Sequence, residues 1–257
     1  MIKNAISEEV CDAILAKMKA TPKEDGSTMP IGWAYPVIFP ELVIDAYKNG
    51  EAEAEAKMQK HFEKFEIINQ NSEKYFGAPV IEFVEEWLGK FSGGREVIRP
   101  HGYGGKGEYA TATFRSYYGN GKGNISVHCG NLFQTVWKKF YGHLEQQVDI
   151  YDQLSYFFLL QEPVSGGELT LYDFEWEDGQ KKKSNHENKE VFMADGKSIA
   201  LADRETMMIR PRKGDMILFA GGQIWHRIEA VMGNQERVTL AGFLSYSQGK
   251  EKIVYWT

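Results

Sequence analysis

The sequence predicts a mainly β protein with flanking helices, its centre a double-stranded β-helix, the cupin-like jelly roll. Three observations lead to that architecture. After Gly93-Gly94 the composition shifts from Ala, Glu and Lys toward Gly, Tyr, Thr and aromatic residues. From there on, short apolar runs alternate with turn signals at Gly119-Asn120-Gly121, Pro163 to Gly167, Lys213-Gly214-Asp215 and Gly233-Asn234. That is the spacing of a sandwich or jelly roll rather than of alternating strands and helices. The chain ahead of that point follows helical periodicity instead. Residues 1–92 are accordingly expected to form a helical flank and pocket wall, and residues 93–257 the β core, together one structural domain without internal repeats.

Ser7-Glu8-Glu9 reads as a helix cap with acidic residues in the first turn, and Val10, Ile14, Leu15 and Met18 follow at helical spacing. Pro22, Gly26, Pro30, Gly32, Pro36 and Pro40 exclude a continuous helix or a central strand, so this stretch is expected as a loop anchored by Trp33 and Tyr35. Glu51 to Phe76, rich in Ala, Glu and Lys, predicts a helix ending at Gly77, with the charge run Glu51 to Lys57 as its solvated face. Pro79 suits the first position of a second helix through Trp87 and Leu88.

In the core, Thr111 to Tyr118 and Asn124 to His128 are strands on either side of a turn, and the latter strand is expected to run on through Gly130. Leu132 to Leu154 has mixed apolar spacing and reads as a helix or helix-loop excursion. Leu154 to Leu160, Glu168 to Tyr172, Met216 to Phe219, His226 to Val231, Arg237 to Tyr246 and Ile253 to Trp256 complete the strands. The polar segment Asp178 to Asn188, with Lys181-Lys182-Lys183 and His186, is expected as a loop over one end of the core, a candidate lid.

Composition narrows the function classes. With 42% hydrophobic residues in 257, the chain can bury a sizeable core, which excludes a disordered protein. The net charge of −6 and the scattered basic residues offer no platform for a nucleic acid polymer, so the expected partner is a small molecule. No run approaches the roughly 20 apolar residues of a membrane span, and no apolar leader follows Met1. Cys11 and Cys129 are too few for a disulfide framework and form no CxxC zinc pair, so a cytoplasmic protein is expected.

The chemistry-bearing stretch is Ile125-Ser126-Val127-His128-Cys129-Gly130-Asn131. If the strand continues, alternation turns His128 and Gly130 to one face and Cys129 to the other. A non-haem iron oxygenase uses two histidines and one carboxylate on a single face, and here the carboxylate's usual place two residues after the histidine has no side chain. His226 opens one later strand, and Arg237-x-Thr239 begins the next. The jelly roll can put that imidazole and guanidinium on one inner wall, a metal ligand beside an anion clamp. A dicarboxylic 2-oxo acid held at a metal by its keto end needs a buried cation for its far carboxylate, and arginine binds carboxylate bidentately where lysine cannot.

These residues sit in an ordered series of blocks: Val127-His128-Cys129-Gly130-Asn131, Asp152-Gln153-Leu154-Ser155-Tyr156-Phe157, Gly166-Gly167-Glu168-Leu169, Lys213 to Phe219, Gly233-Asn234 with Arg237, Gly242-Phe243-Leu244 and Tyr255-Trp256. In that series the chain, from Ala112 onward, resembles the iron(II)/2-oxoglutarate oxygenases, and most closely the carrier-protein-independent aliphatic halogenases of the welwitindolinone and hapalindole pathways. The resemblance implies iron(II) on His128 and His226, chloride or bromide at Gly130, and 2-oxoglutarate with its distal carboxylate on Arg237 and Thr239. It implies Arg115 at the oxo acid's other end and Ser155 steering the outcome from behind the reacting centre. It further implies use of O2, decarboxylation of the oxo acid to succinate, removal of a substrate hydrogen, and transfer of halogen to an sp3 carbon of a freestanding natural-product precursor.

Each residue also has a plainer reading. A strand histidine is commonly structural; a strand glycine often marks a bulge; Arg237 could pair with Glu236 or Glu229; Ser155 could simply pack. Cys129 is read as core on the far face. His101 and His186 are read as exposed, and His61 and His143 as helical residues without a partner pattern. The alternatives to a halogenase are a hydroxylase of the same fold and a non-catalytic jelly-roll binding module. The sequence leaves the substrate open, with a polar or charged molecule, such as an amino acid or a nucleotide-like one, suggested by the polar lid segment.

Overall fold

The computed structural model describes residues 1–37, 50–136, 138–177, 180–182 and 190–257. The expected lid segment from Asp178 falls largely outside the described residues, as do Pro40 and His186.

Six helices flank the sheets among the described residues: α1 (Glu8–Ala20), α2 (Glu51–Gln70), α3 (Ser72–Phe76), α4 (Val80–Phe91), α5 (Gly130–Val136) and α6 (Lys138–Glu145). Ser7 caps α1 as expected, its Oγ accepting from the Val10 amide at 3.3 Å, and Cys11, Ile14, Leu15 and Met18 form the buried stripe. The predicted helix over Glu51–Phe76 breaks at Asn71 into α2 and α3 and stops at Gly77, whose φ of 79° closes the end in the left-handed region.

The strands are β1 (Ser27–Met29), β2 (Gly32–Tyr35), β3 (Val97–Ile98), β4 (Thr113–Tyr117), β5 (Ile125–His128), β6 (Leu154–Gln161), β7 (Ser165–Gly166), β8 (Leu169–Glu175), β9 (Lys181–Lys182), β10 (Glu190–Phe192), β11 (Ser198–Ala200), β12 (Thr206–Ile209), β13 (Met216–Phe219), β14 (Ile224–Ile228), β15 (Val231–Met232), β16 (Arg237–Tyr246) and β17 (Ile253–Trp256). Central to the larger sheet is β16. It pairs with β6 along one edge, and along the other with β4 through its first half and β17 through its second. Beyond these, β13 extends the sheet from β6, β2 and β1 from β4, and β3 from β17. The second sheet has the order β12-β8-β14-β5 and is antiparallel throughout. Phe157, Leu169, Ile217 and Ile228 pack together from both sheets. The result is the double-sheet jelly roll.

One expectation is corrected here. The segment read as a loop between Thr21 and Pro40 forms the hairpin β1–β2, which extends the larger sheet from β4. The helical flank expected for residues 1–92 therefore also supplies two strands. Trp33 explains the override of local turn signals: it is fully buried, its Nε1 donates to the Lys23 carbonyl at 3.0 Å, and its ring meets Phe114 edge-on at 5.7 Å. The helices pack on the outer face of this sheet, where Ile14, Met18, Phe62, Val84 and Leu88 share one core with Tyr156, Phe158, Leu240 and Tyr255. No helix among the described residues is long and apolar enough to cross a membrane.

Candidate active site

The two histidines meet because their strands are neighbours. β5 and β14 run antiparallel with His128 directly opposite His226, and the ring centroids lie 4.2 Å apart. The ladder is irregular on both sides of His226, the kind of bulge that re-aims a side chain beside a site. Both rings are oriented in the same way. Nδ1 of His128 donates to the Ser126 carbonyl and Nδ1 of His226 to the Ile224 carbonyl, each at 2.8 Å, which leaves the lone pair on Nε2. Burial pushes His226 down to about 4, so its imidazole is neutral at physiological pH, the form that binds metal. Among the described residues no group of three His, Cys, Asp or Glu side chains is placed to hold a metal ion.

The anion clamp is equally well formed. Arg237 opens β16 and is only 2% exposed, with its Cζ 5.5 Å from the Tyr117 ring and 5.1 Å from the Phe157 ring. Its Nη2 has no hydrogen-bond partner among the described residues, and burial pushes the guanidinium down to about 10. Neither acidic candidate from the sequence takes it up: Glu236 accepts from Ser116, and Glu229 accepts from Thr170 and Arg227. A buried cation with an unused donor is a standing demand for an anion.

One cleft joins these features. His128, His226, Arg237, Thr239, Arg115 and Ser155 all line it. Thr239 follows Arg237 on the inner face of β16, directly opposite Arg115 on β4. Arg115 is half-buried, and no carboxylate is among the lining residues. Ser155 lies on β6 between Phe219 of β13 and Phe243 of β16. Its hydroxyl fits closely under Gly221, where any Cβ would collide with it.

Gly130 departs from the sequence expectation. The strand stops at His128, and Gly130 begins α5. Its amide donates to the Gly221 carbonyl at 2.8 Å, and that of Asn131 to the Gly222 carbonyl at 2.9 Å. Gly130 is not among the residues lining the cleft. A Cβ built on it would lie 2.6 Å from Nε2 of Gln153 and 3.0 Å from the Gly222 Cα. A side chain at position 130 must displace the Gln153 carboxamide. Cys129 is fully buried with Val127 and Trp225, as expected for the far face.

Sequence reasoning passed over two residues. Tyr117, buried beside Arg237 and opposite it in the ladder, adds a hydroxyl to the anion end; the alternation of Arg115 and Tyr117 on one strand was a usable signal. Gln153 stood inside a recognised block, but nothing local distinguishes it from a polar loop residue. Of the other histidines, His101 is exposed, and His143 is within 2.5 Å of the Tyr109 hydroxyl, away from the cleft.

Solved structures similar to this chain include an N-substituted L-amino acid dioxygenase from Burkholderia ambifaria in complex with α-ketoglutarate, at 15% identity over 97% of this chain and 91% of that one, with a TM-score of 0.49. Another is the non-haem α-ketoglutarate-dependent epimerase SnoN of nogalamycin biosynthesis, at 10% identity over 95% and 76%, TM-score 0.48. A third is a Pseudomonas putida prolyl-4-hydroxylase, at 14% identity over 94% and 88%, TM-score 0.40. No curated protein matches the chain. The family model of the carrier-protein-independent halogenase WelO5 matches residues 1–257. The chain therefore belongs to the carrier-protein-independent halogenase family, and with it to the non-haem iron oxygenases.

Proposed function

We propose that this protein is an iron(II)- and 2-oxoglutarate-dependent halogenase that places chlorine, or bromine, on an unactivated sp3 carbon of a small molecule not tethered to a carrier protein. The observation that carries the reading is the pairing, in one cleft, of two facing histidines, with no third protein ligand among the described residues, and a buried arginine with an unused donor. The residues present fit the implied groups. His128 and His226 would hold iron(II) through Nε2. Arg237 would take the distal carboxylate of 2-oxoglutarate bidentately, with Thr239 and Tyr117 as further donors, and Arg115 would hold the oxo acid's other end. Gly130, in place of the carboxylate found in a facial triad, leaves a coordination position for the halide.

When bound, iron supplies the activation of O2, coupled to decarboxylation of the oxo acid. The chain's own part is to orient and to exclude water. Two carbonyls fix the imidazole tautomers, β16 aligns the oxo acid, and Phe219, packed edge-on to His226 with ring centroids 4.9 Å apart, walls the metal side. Ser155, on β6 with its hydroxyl packed against Gly221, would bias the outcome toward transfer of halogen rather than hydroxyl. The buried thiols Cys11 and Cys129, not joined in a disulfide, suit a reducing compartment, the cytoplasm.

An oxoglutarate-turnover screen over a panel of small metabolites, with iron(II) and saturating chloride, tests the reading by mass spectrometry. A product bearing the chlorine isotope doublet supports it. An alcohol as the only product makes the protein a hydroxylase, and failure to consume oxoglutarate under any condition makes it a binding module.

A further inference from the structure

The anion clamp has a back as well as a front. Arg237 lines the cleft, and it also lines a second cavity, walled by the chain from Pro163 to Gly167, by Glu162 and Glu168, and by Arg210. Its side chain thus stands between the two. The stem rests on Gly167: a Cβ built there would come within 2.9 Å of the Arg237 Cδ, and a backbone φ of 71° favours glycine there in any case. Little sets the depth of the guanidinium. Its Nη2 has no partner among the described residues, and the Tyr117 and Phe157 rings attract a cation without fixing it at one point along its path. Charge in the rear cavity favours withdrawal. Glu168 engages Arg210 through Oε1 at 2.9 Å, and Oε1 of Glu162 accepts from the Lys213 amide at 3.1 Å. A carboxylate accepts several donors, so both can also receive the spare N–H groups of a guanidinium that draws back.

We propose that the distal end of the oxo acid site is adjustable: Gly167 and the acidic rear cavity let Arg237 retreat by one methylene, so that the protein accepts 2-oxoadipate as well as 2-oxoglutarate. The two acids share the keto end that chelates the metal. The extra methylene of 2-oxoadipate lies between that end and the far carboxylate, so its length falls on the residue that binds this carboxylate. The clamp at Arg237 has space behind it to yield and carboxylates to meet. Gly167 is therefore the positioning residue for clamp depth, acting through the Arg237 stem. The inference rests on the reading of Arg237 as the group that takes the distal carboxylate.

The test is a titration of the anaerobic iron(II) protein with 2-oxoglutarate and, separately, with 2-oxoadipate, the ratio of the two Kd values being the readout. In a fixed pocket one methylene is worth about 10–200-fold in discrimination; here 2-oxoadipate is expected to bind within about tenfold of 2-oxoglutarate. Gly167→Ala, which presses on the stem, is expected to widen the ratio by roughly tenfold, taking it into the range of a fixed pocket. Glu168→Gln keeps the shape of the rear cavity and removes a charge, and is expected to widen the ratio by about threefold, less than the loss of a full charged hydrogen bond. It also serves where the strained Gly167 variant does not fold. A ratio beyond about tenfold in the parent, with 2-oxoglutarate binding normally, overturns the adjustable clamp. So does a small parent ratio left unchanged in every folded variant. If Arg237→Met leaves 2-oxoglutarate affinity intact, the clamp reading itself fails, and this inference with it.

Discussion

Arg237→Met separates the two states of the cleft. Methionine keeps an unbranched side chain of similar reach and removes the guanidinium. Without ligand, the charged group is a liability: burial pushes it down to about 10, which amounts to ~3 kcal/mol against the charged form, fully present at pH 7. Offsetting this are the two ring contacts, at 5.5 and 5.1 Å, worth ~1–2 kcal/mol together. The variant is therefore expected to gain ~1–2 kcal/mol without ligand, a Tm rise of ~2–6 °C for a chain of this size. With 2-oxoglutarate the sign reverses. Removing one partner of a buried, hydrogen-bonded charge pair costs ~3–5 kcal/mol, a loss of affinity of ~10²–10⁴-fold. Thermal unfolding of the ligand-free protein and calorimetric titration of 2-oxoglutarate into the anaerobic iron(II) form measure both halves. A fall of ligand-free Tm beyond ~5 °C together with an oxoglutarate Kd within threefold of the parent would refute the assignment of Arg237 as an anion clamp.

Gly130→Asp must displace the Gln153 carboxamide, so it is expected to cost ~1–3 kcal/mol by overpacking and to abolish chlorination while iron stays bound; sustained chlorination by that variant contradicts a halide position there. Ser155→Ala is expected to raise the share of hydroxylated product with oxoglutarate consumption little changed, and an unaltered product ratio removes the serine from the mechanism. His61, on α2 with its ring 4.2 Å from that of Phe65, is pushed by burial to about 3. Between roughly pH 6.5 and that value the unfolded chain binds a proton the native one does not, so stability is full above that window and falls with pH inside it. His61→Phe is expected to flatten the dependence by ~1.4 kcal/mol per pH unit from this group. Urea unfolding at pH 7, 6 and 5 checks it, and parallel slopes would count against it.

The parts of the molecule legible in the sequence are those whose cause is local or periodic. β16 and β17 fall where apolar runs lie between turns, and α1 begins where Ser7 offers a cap. His128, His226 and Arg237 stood out because each belongs to a recognisable block, and the structure puts His128 at the end of β5, His226 in the middle of β14 and Arg237 at the start of β16. The turn of the chain at Gly130 was hidden because its cause lies far along the sequence. Glycine is a poor helix former, and the start of α5 is set instead by carbonyls of Gly221 and Gly222 receiving the Gly130 and Asn131 amides. For the same reason β2 was invisible among prolines and glycines: it exists because β4 has an open edge and Trp33 a core to enter.

The non-local contact that hid the helix also sharpens the chemistry. A strand continuing through Gly130 would have made the missing carboxylate a simple gap on one face. The helix start instead commits the two nearest backbone donors to the Gly221-Gly222 turn and brings Gln153 across the Gly130 Cα. That one turn also closes over Ser155 and, at Gly222, accepts into α5 while leading directly into the strand of His226. His226, the place beside Gly130 and Ser155 are thus tied to close approaches at Gly221 and Gly222 rather than to three independent side chains. A substitution at Gly221 or Gly222 should therefore disturb all three together, whereas Arg237, anchored at the far end of β16, should stay in place.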